Sequence, residues 1–300
     1  MKKKTYLFAL MAMGLTLGSC SDNENGIGGE TSKYITVSTS IGNMTRVATD
    51  EKGGQTFEEG DEISVYAWTG DATVAPETRE RVVNNAINKL TNGSWVSTPQ
   101  MLWKNNRDKH YFIGVYPTAA ISDLSAGEYT FDVNKQTESD LLVAVNKDGL
   151  SYNVDEQQPV PLTFTHVMAK LVVNLTYKNQ WGGIPTVEKV VVGNAAKEAT
   201  INYLTKVVTP STTAKEDFSL PEITENTKYV SVIIPQEDVK QLTIVIGGKN
   251  FVYDNGTPFK LESGKITTVN LEVGRDEIKL GDVKITDWEN GSTFSGEALN

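Results

Sequence analysis

From Tyr34 onward, apolar residues recur at every second position in short runs, and Gly, Pro or Asn interrupts the runs. A period of two puts alternate side chains on opposite faces of an extended chain, so this pattern commits the chain to β-structure. Ile35, Val37, Thr39 and Ile41 fall on one face of a first strand. After the turn Phe57-Glu58-Glu59-Gly60-Asp61-Glu62, the residues Ile63, Val65 and Ala67 alternate with Ser64, Tyr66 and Trp68. The same reading gives strands at Tyr111–Val115, Tyr129–Val133, Leu141–Val145, Val160–Phe164, Leu171–Leu175, Val190–Val192 and Tyr229–Ile234. Leu242–Ile246 and Phe251–Tyr253 flank Gly247-Gly248, a hairpin signal. Ile266–Val273 and Asp282–Trp288 are the last strands. Only Arg79–Leu90 carries helical spacing, through Val82, Val83, Ala86, Ile87 and Leu90. Its Asn-rich middle fits one helix or an irregular strand equally. Strands do not alternate with helices, which disfavours nucleotide-binding α/β folds. The expected fold class is all-β, with β-sandwiches as the architecture.

The first twenty residues have a separate character. Met1-Lys2-Lys3-Lys4 is a basic start, Tyr6–Leu17 is mostly apolar, and Leu17-Gly18-Ser19-Cys20 follows. Small residues before a cysteine at the end of an apolar run look like a bacterial lipobox. Cleavage between Ser19 and Cys20 would leave Cys20 to be acylated, which predicts a lipid-anchored protein of a Gram-negative outer membrane. Loss of three lysines with that leader takes the formal net charge from −10 to −13. Residues 21–30 are polar and Gly-rich, as in a flexible tether, and their acidic residues resemble a surface-export signal. The expected organisation is a signal peptide at 1–19, a lipidated cysteine and tether at 20–32, one β-sandwich at 33–157 and a second at 158–300. The boundary is drawn in the polar stretch Asp148–Pro161.

The residue inventory excludes much chemistry. The chain holds one Cys and two His, too few for a disulfide, a Cys-rich zinc site or a three-imidazole metal site. Its 28 basic against 38 acidic residues argue against nucleic acid as a partner. There is no phosphate-binding Gly loop and no nucleophile elbow. His166 lies amid apolar residues and reads as a structural, hydrogen-bonded side chain; His110, beside Arg107, Asp108 and Lys109, reads as a solvated loop residue. Glu58, Glu59, Asp61 and Glu62 lack EF-hand spacing and read as a turn with solvated charges. No pair of carboxylates stands out for glycoside hydrolysis. The five Trp (68, 95, 103, 181 and 288) could stack on sugars if exposed, although core or sheet-edge packing is the commoner use. No catalytic residue, metal site or cofactor is expected, and the chain does not read as an enzyme.

Several segments together resemble the fimbrillin-like family of type V pilus subunits. They are the lipobox, Met44–Thr49 followed by Phe57–Tyr66, Tyr111–Pro117, Asp140–Ala144, Leu162–Leu171 with its Phe-x-His and Ala-Lys-Leu, and Ile285–Gly291. The resemblance implies two transthyretin-like β-sandwiches, lipoprotein export and assembly with other fimbrial subunits by strand exchange. It also implies that an Arg-specific protease removes an N-terminal strand. Here that strand would be Tyr34 to about Met44, with Arg46 as the cleavage candidate. The candidate donor strand is Ile278–Trp288, with Ile278, Leu280, Val283 and Ile285 as its plugs; an ordinary last strand is the competing reading. The alternative function is a monomeric surface lipoprotein that binds host or other glycans through exposed aromatics. A lipid-anchored hydrolase is a third reading.

Overall fold

The alternating segments do form strands. A computed structural model of the chain describes residues 33–42, 56–153, 158–254 and 256–288. Strands β1 (Val37–Ile41), β2 (Glu62–Thr69), β3 (Arg81–Thr91), β4 (Ser94–Thr98), β5 (His110–Tyr116), β6 (Gly127–Thr130), β7 (Leu142–Leu150) and β8 (Val160–His166) occupy the first half. They are followed by β9 (Ala169–Tyr177), β10 (Val187–Ala196), β11 (Glu198–Asn202), β12 (Val207–Pro210), β13 (Lys215–Ser219) and β14 (Glu222–Thr224). The last are β15 (Lys228–Ile233), β16 (Gln241–Ile246), β17 (Lys249–Asp254), β18 (Lys265–Val273) and β19 (Ile278–Asp287). One helical turn, α1 (Gln136–Ser139), precedes β7.

Four sheets result. The largest has seven strands in the order β1-β8-β7-β5-β2-β3-β4. The others run β12-β11-β6, β13-β10-β16-β17 and β14-β15-β9-β18-β19. Most neighbours are antiparallel, but β1 runs parallel to β8, and β18 runs parallel to β9.

The seven-stranded sheet is apolar on both faces. Ile63, Val65 and Ala67 of β2 join a core with Phe112, Leu162 and Phe164, while Tyr66 and Trp68 of the same strand point into a second core. That second core is continuous from Ile113 and Val115 through Leu171 and Val173 to Ile244 and Leu271. The sheet also curls around the first core until its two outer strands meet. Ile35 N donates to the Met101 carbonyl at 2.9 Å, and Trp95 Nε1 on β4 donates to Thr39 Oγ1 on β1 at 3.0 Å.

Arg79–Leu90 resolves as the irregular strand. Asn85 adopts φ 55°, and the pairing of β2 with β3 shifts register between Val65 and Ala67. The buried positions Val83, Ala86 and Asn88 are therefore spaced three and then two apart. A bulge inserts one residue into a period of two, which imitates a helical spacing over a short window. The Gly247-Gly248 hairpin forms as read, with both glycines at positive φ (57° and 73°), a conformation open to Gly at no steric cost.

Hydrogen bonds cross the line drawn at residue 157 in both directions. β8 lies beyond it yet pairs with β1 and β7, and β6 lies before it yet pairs with β11. All described residues belong to one compact unit.

Candidate assembly interface

β1 is held as an edge strand with a buried face. It contributes Ile35 (just before it), Val37 and Ile41 to the first core, each at most 8% exposed. Its ladder to β8 runs from Val37 opposite Val160 to Ile41 opposite Phe164, and Gly42 N extends it to the Phe164 carbonyl at 2.7 Å. Burying three such side chains stabilises the strand by about 5–8 kcal/mol. Beyond its end, the Phe57 ring packs edge-on against Trp95, Tyr116 and Phe164, with centroids 5.1–5.4 Å away. Taking β1 out would leave an apolar groove with an unpaired β8 edge.

β19 is the opposite kind of edge: paired, but poorly covered. It lies antiparallel to β18 at the margin of its sheet. Asn270 alone faces Gly281 and Asp282, because the register slips between Val269 and Leu271. Gly281 suits the bulge, since a Cβ there would sit 3.2 Å from the Asn270 carbonyl oxygen. The bulge restores phase, so Ile278, Leu280, Val283 and Ile285 all face the side of Val269 and Leu271. Ile278 and Leu280 pack against the core, whereas Val283 and Ile285 are 41% and 38% exposed. The four plug candidates thus share one face, on a strand that here serves as an ordinary last strand.

The ends of β8 and β19 meet. His166 Nδ1 lies 2.8 Å from Asp140 Oδ1, and the His166 ring stacks on Trp288 at 4.0 Å and 7°. Lys170 Nζ lies 5.1 Å from the centroid of the same indole. Burial pulls the Lys170 ammonium below its usual value, Asp140 works against that shift, and Lys228 adds to it. His166 Nε2 is buried without a hydrogen-bond partner. A cleft of about 530 Å³ opens over this cluster, walled by Phe57, Tyr116, Val230 and Trp288.

His110 is not a solvated residue. It is fully buried at the start of β5, where Nε2 accepts from Lys104 N at 3.0 Å, Nδ1 meets the Asp108 carbonyl at 3.0 Å and Trp103 packs edge-on. Carrying the alternation of Phe112 and Gly114 back by two residues would have placed His110 on the inward face. Trp68 is buried and Trp95, Trp103, Trp181 and Trp288 are half-buried, so core and sheet-edge packing takes up much of every indole. Asp61 N donates to the Glu58 carbonyl in a tight turn. Ser19, Cys20 and Arg46 lie outside the described residues.

A fimbrillin-like family profile matches residues 45–288, nearly the whole β region. The chain belongs to the fimbrillin-like family. A relative from Bacteroides uniformis, "Putative fimbrium subunit Fim1C", is 25% identical over 99% of this chain and 100% of its own. Two solved structures are similar in fold, each described as a "putative cell adhesion protein". The one from Bacteroides ovatus is 18% identical and covers 85% of this chain and 98% of its own, with a TM-score of 0.62. The one from Bacteroides uniformis is also 18% identical, covers 86% and 100%, and has the same TM-score of 0.62. These likenesses agree with the all-β fold of the fimbrillin-like chain.

Proposed function

We propose that this fimbrillin-like protein is a fimbrial subunit, exported as an outer-membrane lipoprotein on Cys20, that joins its neighbours by strand exchange. The observation that carries the reading is β1: an edge strand at the N-terminal end of the fold whose Ile35, Val37 and Ile41 fill a core. Cleavage after Arg46 would free β1, and a strand of another subunit would take its hydrogen bonds and pockets. β19 supplies a strand of matching character, with four apolar residues on one face and two of them already uncovered.

The test uses residues 21–300 and an Arg-specific protease. Cleavage after Arg46 should yield multimers visible by electron microscopy, and Arg46→Ala should block them. Val283→Glu with Ile285→Glu should leave cleavage intact and stop polymer growth. A chain cleaved after Arg46 that stays monomeric under all conditions would overturn strand exchange by this route. Mass spectrometry of the membrane-bound protein tests the anchor independently: an unacylated Cys20 would remove it.

A further inference from the structure

A second cleft lies against β7 and β8. It measures about 490 Å³ and is walled by Asn146 and Lys147 of β7, Pro161 and Thr163 of β8, and Thr205 and Lys206 in the turn between β11 and β12. Lys206 is half-buried, yet its ammonium donates only to a neutral group, Thr165 Oγ1, at 3.0 Å. Two other partly buried lysines in this acidic chain meet carboxylates: Lys215 meets Asp238 and Lys178 meets Glu277. Among the described residues, neither Lys147 nor Lys206 forms an ion pair, although Asp148 also lines the cleft. Burial, and then the like charge of Lys147, hold the Lys206 ammonium below the usual lysine range.

The backbone adds a further cost. Lys206 sits at φ 62°, a conformation that is strained for any side chain except Gly and mildly so for Asn. Two cations that repel each other, one of them desolvated and on a strained backbone, are what an anion site looks like when no anion is bound. The volume exceeds what one bare oxyanion fills and falls in the range of small-molecule sites. Its walls hold the hydroxyls of Thr163 and Thr205 and the Asn146 side-chain amide. Those groups suit a ligand that carries hydroxyls beside its charge.

We propose that this cleft binds an acidic saccharide, with Lys147 and Lys206 gripping its carboxylate or sulfate group. No residue of β1 or β19 lines the cleft, although Ser40 of β1 donates to its wall residue Thr163 at 3.2 Å; binding is therefore measured on the uncleaved chain, where its outcome is separate from that of strand exchange.

Calorimetric titration of residues 21–300 at low ionic strength tests it. The probes are a sulfated heparin disaccharide, glucuronate, sodium sulfate and a short polyglutamate peptide. The expected result is saturable binding of the disaccharide or glucuronate, weakened on the order of tenfold by Lys147→Gln and by Lys206→Gln. Lys89→Gln, which removes a lysine paired with Glu62, should leave binding unchanged. Lys147 is exposed, so its variant tests the site even if Lys206→Gln folds poorly. Sulfate or polyglutamate binding as tightly as the saccharides would overturn the saccharide assignment. Absence of saturable binding, or binding indifferent to both lysines, would overturn the site.

Discussion

The His166 imidazole lies flat on the Trp288 indole, with ring centroids 4.0 Å apart and planes 7° from parallel. His166 closes β8, which carries β1 on its free edge, and Trp288 directly follows β19. One ring contact therefore joins β8, the partner of the strand proposed to leave, to the end of the strand proposed to donate. Trp288 N also donates to the Gly264 carbonyl at 2.9 Å, so the indole is fixed from its own backbone.

Trp288→Ala should loosen β19 before it affects the rest of the fold. The loss combines the ring stack with a half-buried side chain and should be about 2–3 kcal/mol in urea unfolding. Hydrogen exchange at Thr286 and Lys284 should quicken more than at Val172 in the sheet centre. Uniform quickening across the sheet would contradict a local latch.

Val37→Asp should destabilise the protein by about 3 kcal/mol or more, because it sets a carboxylate at a position only 6% exposed. A chain lacking residues 33–42 should bind a hydrophobic dye, and a synthetic peptide of those residues should reverse the binding. Failure of the peptide to compete would argue that β1 does not seal an accessible groove.

Gly114→Ala should cost about 1–3 kcal/mol. A Cβ there would come within 2.6 Å of Phe164 Cζ and 3.2 Å of a Leu162 methyl, under the β1 groove. Thermal melts check it, and Gly93→Ala offers a contrast, since only its φ of 72° opposes the change.

His110 should make the protein sensitive to mild acid. Burial is the main cause of its depressed pKa, with Lys104 adding to it, while Asp108 and the Leu150 backbone oppose it. The unfolded chain therefore takes up a proton at about pH 6.5 that the folded chain refuses. Its contribution is complete above that pH and declines as pH falls toward the lower folded value. Protonation of Nε2 would also remove the acceptor for Lys104 N. His110→Gln should flatten the fall in stability that sets in below roughly pH 6.5; an unchanged slope would show that other groups set it.

Much of the fold was legible because β1, β2, β8 and β16 obey a strict period of two, and local alternation is all that a strand needs. β3 was ambiguous for a local reason, the bulge at Asn85. His110 was misread because its charged neighbours Arg107, Asp108 and Lys109 dominate the local composition, whereas its burial comes from Trp103 packing over it. His166 has the buried, hydrogen-bonded place its apolar neighbours suggested. Its partners are Asp140, 26 residues upstream, and Trp288 at the far end of the chain, pairings that only tertiary structure sets. The Lys147–Lys206 cleft was invisible for the same reason: β7 and the β11–β12 turn have no sequence relationship.

The hydrogen bond from Trp95 to Thr39 sets a width. With β1 in place, the curled sheet has β8 on one flank of that strand and β4 within side-chain reach on the other. Vacated, the slot would be a seam one strand across, roofed by indole, with no room for a second strand beside the first. A joint built on such a seam has a fixed stoichiometry of one incoming strand per subunit. Chains linked this way would extend as unbranched filaments rather than clump as sheets.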